Sequence, residues 1–201
     1  MPIQAVEPKR LYRQIAEQLR KLILVGEYGV GTRLPAERDL AAKLGVSRPT
    51  VREALLALEI GGLVEVRPGS GIHVVASDPA AHADSLDSNA YGPFEIIRAR
   101  QLIECELAAL AAQHATRPQI DGLHEALAMM ETELSHGAMP IRSDRVFHVR
   151  VAEIAANGPL LRTVSEFFDE RNNPMFEQMG HHFENEKSWR KAMAEHHAVV
   201  V

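Results

Sequence analysis

The chain has 201 residues, 46% of them hydrophobic and 24% charged, with a formal net charge of −5. That length suits one large domain or two small ones with real cores, and a single cysteine, Cys105, excludes an internal disulfide framework. No basic stretch leads into an apolar signal run, and nothing approaches the ~20 apolar residues needed to cross a bilayer, so a cytoplasmic protein is expected.

The charge is unevenly spread. Residues 1–75 hold 11 Lys and Arg against 8 Asp and Glu, whereas the remainder holds 11 against 19. A slightly basic head on an acidic body fits a chain whose first part alone meets phosphate.

In the head, Leu11, Ile15, Leu19, Leu22 and Ile23 recur at helical spacing, which predicts a first helix from Leu11 to Val25. A second is expected to open at Pro35, with Glu37 and Asp39 in its first turn, and to stop at Gly45. Two residues later Ser47 can cap a third, whose Val51, Ala54, Leu55 and Leu58 face inward until Gly61-Gly62. Two short helices around so tight a turn form a helix-turn-helix pattern. Leu63–Arg67 and Ile72–Val75 then read as strands joined by Pro68-Gly-Ser-Gly71, a hairpin with a glycine-rich tip. Three helices and a hairpin make a winged helix.

The third helix opens Ser47-Arg-Pro-Thr-Val-Arg52. With Val51 turned to the core, Arg48, Thr50 and Arg52 are left for phosphate or base edges, the arginine fork matching the two acceptors of guanine. Ser47 and its neighbouring backbone N–H groups can hold a phosphate, Arg38 is placed to grip the backbone, and Gly69 and Gly71 let the wing tip approach the minor groove. Solvated arginines on a helix face would give any one of these features singly; the ordered set favours DNA.

Residues 76–91 are small, polar and aperiodic and read as a linker. Beyond them the periodicity predicts six helices: Phe94–Gln113, Pro118–Leu134, Ser143–Ala156, Pro159–Arg171, Pro174–Met179, and a last one from Glu186 to the end of the chain. Six amphipathic helices in a row make an antiparallel bundle, so the fold class is mostly α. The first body helix has Ile96, Ile97, Ile103, Leu107, Leu110 and Ala111 as its inner face, with Arg100 and Glu104 amid them. A buried guanidinium needs an anion; its partner is either Glu104 one turn on or the carboxylate of a ligand. Asp144 and His148 share a face at i,i+4, and His196 shares a stripe with Trp189 and Met193. Those three suit either a divalent-metal site or a helix-start carboxylate with two core-edge histidines. His181, His182 and His197 are expected at the surface.

Leu34-Pro-Ala-Glu-Arg-Asp-Leu40, Val46–Leu55 and Gly62–Gly71 resemble the GntR family of transcription regulators over most of residues 10–75. The resemblance implies DNA contacts at Arg38, Ser47, Arg48, Thr50, Arg52 and Gly69. Pro49 departs from the small polar residue common there. Arg100-Gln-Leu-Ile-Glu104, Asp144-Arg-Val-Phe-His148 and Glu195-His196 resemble the helical effector domain of the family's FadR-type branch, across 92–201. This second likeness implies that Asp144, His148 and His196 bind a divalent metal, zinc in many relatives, with Arg100 facing an effector carboxylate. The expected protein is a homodimeric repressor on double-stranded operator DNA, without catalysis. The family's fourth metal ligand lies on a following helix; because the sequence stops inside the apolar run Ala198–Val201, a missing segment is expected. A narrower resemblance, carried by Tyr91–Glu104, Gly69–Val75 and Arg171-Asn-Asn-Pro174, is to repressors of hexuronate-utilisation operons. It implies a sugar-acid effector, and Asn172 or Asn173 is expected to bind its hydroxyls. Two rivals share the same residues: a metal-dependent enzyme, which would need a base or nucleophile that is not evident, and a pure metal sensor.

Overall fold

A computed structural model describes residues 10–77 and 90–200. The chain forms two compact units, Met1–Glu95 and Ile96–Val201; residues 78–89 of the expected linker lie outside the described residues.

The first unit contains α1 (Leu11–Leu24), α2 (Glu37–Leu44), α3 (Arg48–Ile60), β1 (Val64–Arg67) and β2 (Gly71–Val74). The apolar stripe of α1 buries Ile15, Leu19 and Ile23 together with Tyr12, against α3's Val51, Ala54, Leu55 and Leu58. Gly45 ends α2 in the left-handed region at φ 66°, a conformation costly for any residue with a Cβ. The tight turn between α2 and α3 therefore depends on it. Pro35 does not open α2: Ala36 is the extended residue before it, and the helix begins at Glu37. The backbone of 31–34 is occupied elsewhere, because Leu34 N–H donates to Ile72 O at 2.8 Å and Arg33 bridges His73. The wing is thus a β1–β2 hairpin with a third short edge. In the register, Val64 faces Val74 and Arg67 faces Gly71.

One buried charge stands out in this unit. Glu53, on α3, is 5% exposed and accepts the backbone N–H of Glu95 at 3.0 Å. Gly92 makes room for it, since a Cβ there would collide with the Glu53 carboxylate. Burial pushes the Glu53 carboxyl up to about 6, against the pull of the backbone hydrogen bonds.

The second unit is helical: α4 (Pro93–His114, which begins in the first unit), α5 (Arg117–Ser135), α6 (Ile141–Ile154), α7 (Gly158–Asp169), α8 (Pro174–Phe183) and α9 (Glu186–Val200). Capping residues mark the starts. Asn157 accepts Leu160 N–H, and Asn173 accepts those of Met175 and Phe176. The larger core gathers Leu123, Leu127 and Met130 of α5, Phe147 and Val151 of α6, and Trp189 and Met193 of α9. A smaller cluster joins Leu107, Ala152, Val164 and Phe168. The inner face of α4 is narrower than its composition suggests. Ile96, Leu107 and Ala111 are buried, but Ile97 is 40% and Leu110 37% exposed. Apolar residues run almost around this helix, Leu102 included, so periodicity alone assigns too many of them inward.

Candidate functional site

The head presents its polar surface where α3 begins. Ser47 lies in extended conformation and its Oγ accepts Thr50 N–H at 3.3 Å, closing the first turn, while the two hydroxyls stand 2.7 Å apart. Arg38 and Arg48 reach outward with side chains 83% and 61% exposed. Arg52 differs. Its Nε and Nη2 donate to Glu37 at 3.0 and 2.6 Å, forming a two-pronged pair that ties α3 to α2. Glu37 also lies 3.9 Å from Arg48, so one carboxylate draws both guanidiniums of α3 together. At the wing tip Gly69 and Gly71 adopt φ 74° and 102°. The Arg33 side chain crosses Gly71 so closely that a Cβ there would strike the guanidinium. A serine-capped helix start flanked by exposed arginines, beside a glycine wing tip, is the arrangement that a major-groove helix with a minor-groove wing requires.

In the second unit Asp144, His148 and His196 come together, with one ligand-capable atom of each within 4.8 Å of the others. They arrive from α6 and α9, which pack through Phe147, Val151, Trp189 and Met193. His196 Nε2 is 3.1 Å from both Asp144 Oδ1 and His148 Nε2, and His148 Nε2 is 3.6 Å from Asp144 Oδ1. Three donors around a tetrahedral zinc, at bonds of 2.0–2.1 Å, stand about 3.3 Å apart. The surrounding contacts point the same way. His148 Nδ1 donates to Glu104 at 2.7 Å, and His196 Nδ1 donates to the Ala192 carbonyl at 2.6 Å. Both Nε2 lone pairs are thereby free to converge. Asp144 Oδ2 accepts from Arg171 at 3.4 Å, leaving Oδ1 for the cluster. The residues fit a divalent cation.

Electrostatics agree. Burial opposes the charge on Asp144, yet hydrogen bonds from His148 and His196 hold its carboxyl well below the usual carboxylate range. Burial likewise resists the charged form of His148, but Asp144 and Glu104 outweigh it and raise the imidazole. Both shifts arise from carboxylates packed against the imidazoles, and a cation among the three donors would meet the same negative charge.

Arg100 stands next to this cluster. Its Nε and Nη2 donate to Glu104 at 2.7 and 3.3 Å, and its guanidinium lies 3.9 Å over the Phe168 ring.

Residues 11–74 match bacterial regulatory proteins of the gntR family, and residues 95–201 match the FCD domain. The Uxu operon transcriptional regulator of Escherichia coli K12 is 38% identical, over 98% of this chain and 79% of that protein. The chain belongs to the GntR family. The Exu regulon transcriptional regulator of the same strain is 40% identical, over 91% of this chain and 72% of that protein. A solved Streptococcus agalactiae GntR structure is 27% identical with a TM-score of 0.41, over 94% of this chain and 95% of that one. As a GntR-family member the chain is a DNA-binding transcription regulator, not an enzyme. No helix among the described residues is long and apolar enough to cross a membrane.

Against this GntR background the sequence-derived residues separate. Arg38, Ser47, Arg48, Thr50 and Gly69 lie at the exposed helix start and wing; Arg52 is there too, committed to Glu37. Asp144, His148 and His196 are brought together, and Arg100 has taken the local partner, Glu104. Asn173 is given another task. Its Oδ1 accepts two backbone N–H groups of α8 and its Nδ2 donates to Glu170 O, so the amide oxygen and one of the two amide N–H groups are engaged in the cap. The cavity of about 310 Å³ that it borders is also lined by Glu166, Asp169 and Glu170, a poor setting for an anion. His181 and His197 are exposed as expected, whereas His182 is half-buried. The sequence pattern gives Arg33 no role, and it names Arg171 only as part of a motif. Arg171 lies 27 positions from Asp144, and only a shared fold brings the two within reach.

Proposed function

We propose that the chain represses transcription as a homodimer on a two-fold operator, and that a sugar acid bound at a divalent metal in the second unit weakens its hold on DNA. Asp144, His148 and His196 would hold the metal, for which zinc suits two imidazoles and one carboxylate. Three protein donors leave a coordination position for the effector's own oxygen. Arg100 supplies the complementary charge for its carboxylate, using the N–H groups not engaged by Glu104. The sugar-acid reading rests on the likeness to the Uxu and Exu regulators, so glucuronate and galacturonate are the first compounds to try. The observation that carries the metal reading is the convergence of two Nε2 atoms and one Oδ1 at the edges of a tetrahedron.

Each head would take one half-site, about 34 Å from the other along the duplex. Pairing of the bodies is supported by the outer face of α4, where Leu102 is 68% exposed beside exposed Cys105 and Ala109. Effector binding would favour one of two arrangements through its differential affinity for them. The test is a thermal-shift titration with zinc, then with glucuronate or galacturonate added. Zinc alone is expected to raise the melting point and the uronate to raise it further. Arg100→Ala should abolish the second rise only, and Asp144→Ala both. A uronate effect that survives Arg100→Ala places the effector elsewhere, and a DNA affinity that zinc alone changes, with no response to uronates, establishes a metal sensor.

A further inference from the structure

We infer that Glu104 is a positioning residue that holds the metal-facing and effector-facing halves of the site in register, an inference that rests on the metal reading above. The side chain sits between two donors. Oε2 accepts His148 Nδ1–H at 2.7 Å, and Oε1 accepts Arg100 Nε–H at 2.7 Å, with Arg100 Nη2 at 3.3 Å from Oε2. Its side chain and those of Arg100 and His148 are 15%, 14% and 21% exposed, so water is a weak competitor for these bonds. By accepting at Nδ1, the carboxylate selects the neutral imidazole tautomer whose Nε2 carries a lone pair, the form a metal requires. By accepting from Arg100, it fixes the guanidinium edge left for a ligand. A side chain with a single acceptor oxygen cannot meet both tasks at once.

That last point makes the role separable from packing. Glu104→Gln keeps the shape but offers one oxygen to two donors. The arginine, charged and presenting two N–H groups, captures the amide oxygen. The amide NH2 then faces His148 Nδ1 and favours the tautomer with its proton on Nε2, which points that proton into the metal position. Removing the competitor reverses this. In the double variant Glu104→Gln, Arg100→Met, the amide oxygen is free to accept from Nδ1 and the productive tautomer returns. A side chain that merely fills space would show no such rescue.

The experiment measures zinc affinity of the whole chain by competition with a chromophoric chelator, with circular dichroism as the folding check and imidazole 15N spectra of the metal-free protein as the tautomer readout. Relative to the parent, Glu104→Gln is expected to bind zinc roughly 10–100-fold more weakly and to move the His148 signals toward the Nε2-protonated pattern. The double variant should recover most of the lost affinity. Zinc affinity within two-fold of the parent in Glu104→Gln, or a double variant no better than the single one, overturns the role of Glu104. A parent chain that binds zinc no more tightly than Asp144→Ala overturns the metal reading instead.

Discussion

Single side chains at the head separate binding from stability. Arg48 projects into solvent, whereas Arg52 bonds to Glu37 with both side chains about a quarter exposed. Arg48→Ala is therefore expected to weaken operator binding and flatten its salt dependence while leaving urea unfolding unchanged. Arg52→Ala should weaken binding and also lower stability by about 1 kcal/mol, the value of a partly screened two-pronged pair. Equal stability losses in the two variants would contradict this division. Glu53 makes a pH-dependent case. Its folded carboxyl titrates at about 6 against an ordinary value of 4.5, so the protonated form is the one that folding favours. The resulting stability is fully present below about pH 4.5 and is lost as pH rises through 6, amounting to about 2 kcal/mol. Glu53→Gln should accordingly gain on the parent between those two pH values and hold a constant advantage above them. A pH-independent difference in urea unfolding would show that the carboxyl is not buried.

Helix starts carry the next level of organisation. Ser47 closes the first turn of α3, the helix that carries Arg48 and Arg52. Ser47→Ala should cost about 1 kcal/mol in head stability and weaken DNA binding as well, because the same hydroxyl stands where a phosphate would dock. Asn173→Ala, which removes the α8 cap, should cost a similar ~1 kcal/mol with no change in uronate response at saturating zinc. A lost uronate response would return Asn173 to the effector set. In the proposed dimer, the exposed Leu102 of α4 is the position where a charge would test the contact most directly. Leu102→Glu is expected to shift sedimentation toward monomer, and an unchanged sedimentation coefficient would move the dimer interface to another face.

The whole molecule joins a DNA-binding head to a ligand-sensing body, and linkage relates the two. A metal bound only by the folded body stabilises it by about 2.7 kcal/mol when present at 100 times its dissociation constant. Zinc should therefore raise the unfolding midpoint of the parent and a chelator should reverse it, whereas Asp144→Ala should respond to neither. If the midpoint of Asp144→Ala rises with zinc as the parent's does, the cluster is not the site.

The linear order of residues determined the parts of this protein that depend on neighbours: the helices, their Ser and Asn caps, the tight α2–α3 turn at Gly45, the wing with its glycine tip, and the i,i+4 pair Asp144–His148. These follow from local conformational preference and periodic burial, which a sequence displays directly. It also displayed the family motifs. Only the tertiary structure decided that Arg171 steadies Asp144, that Glu104 holds His148 and Arg100 at once, that Arg33 lies across Gly71, and that Ile97 and Leu110 face outward. Such assignments depend on which helices pack together and at what rotation. Contacts between residues tens of positions apart arise from that packing, and no local pattern encodes them.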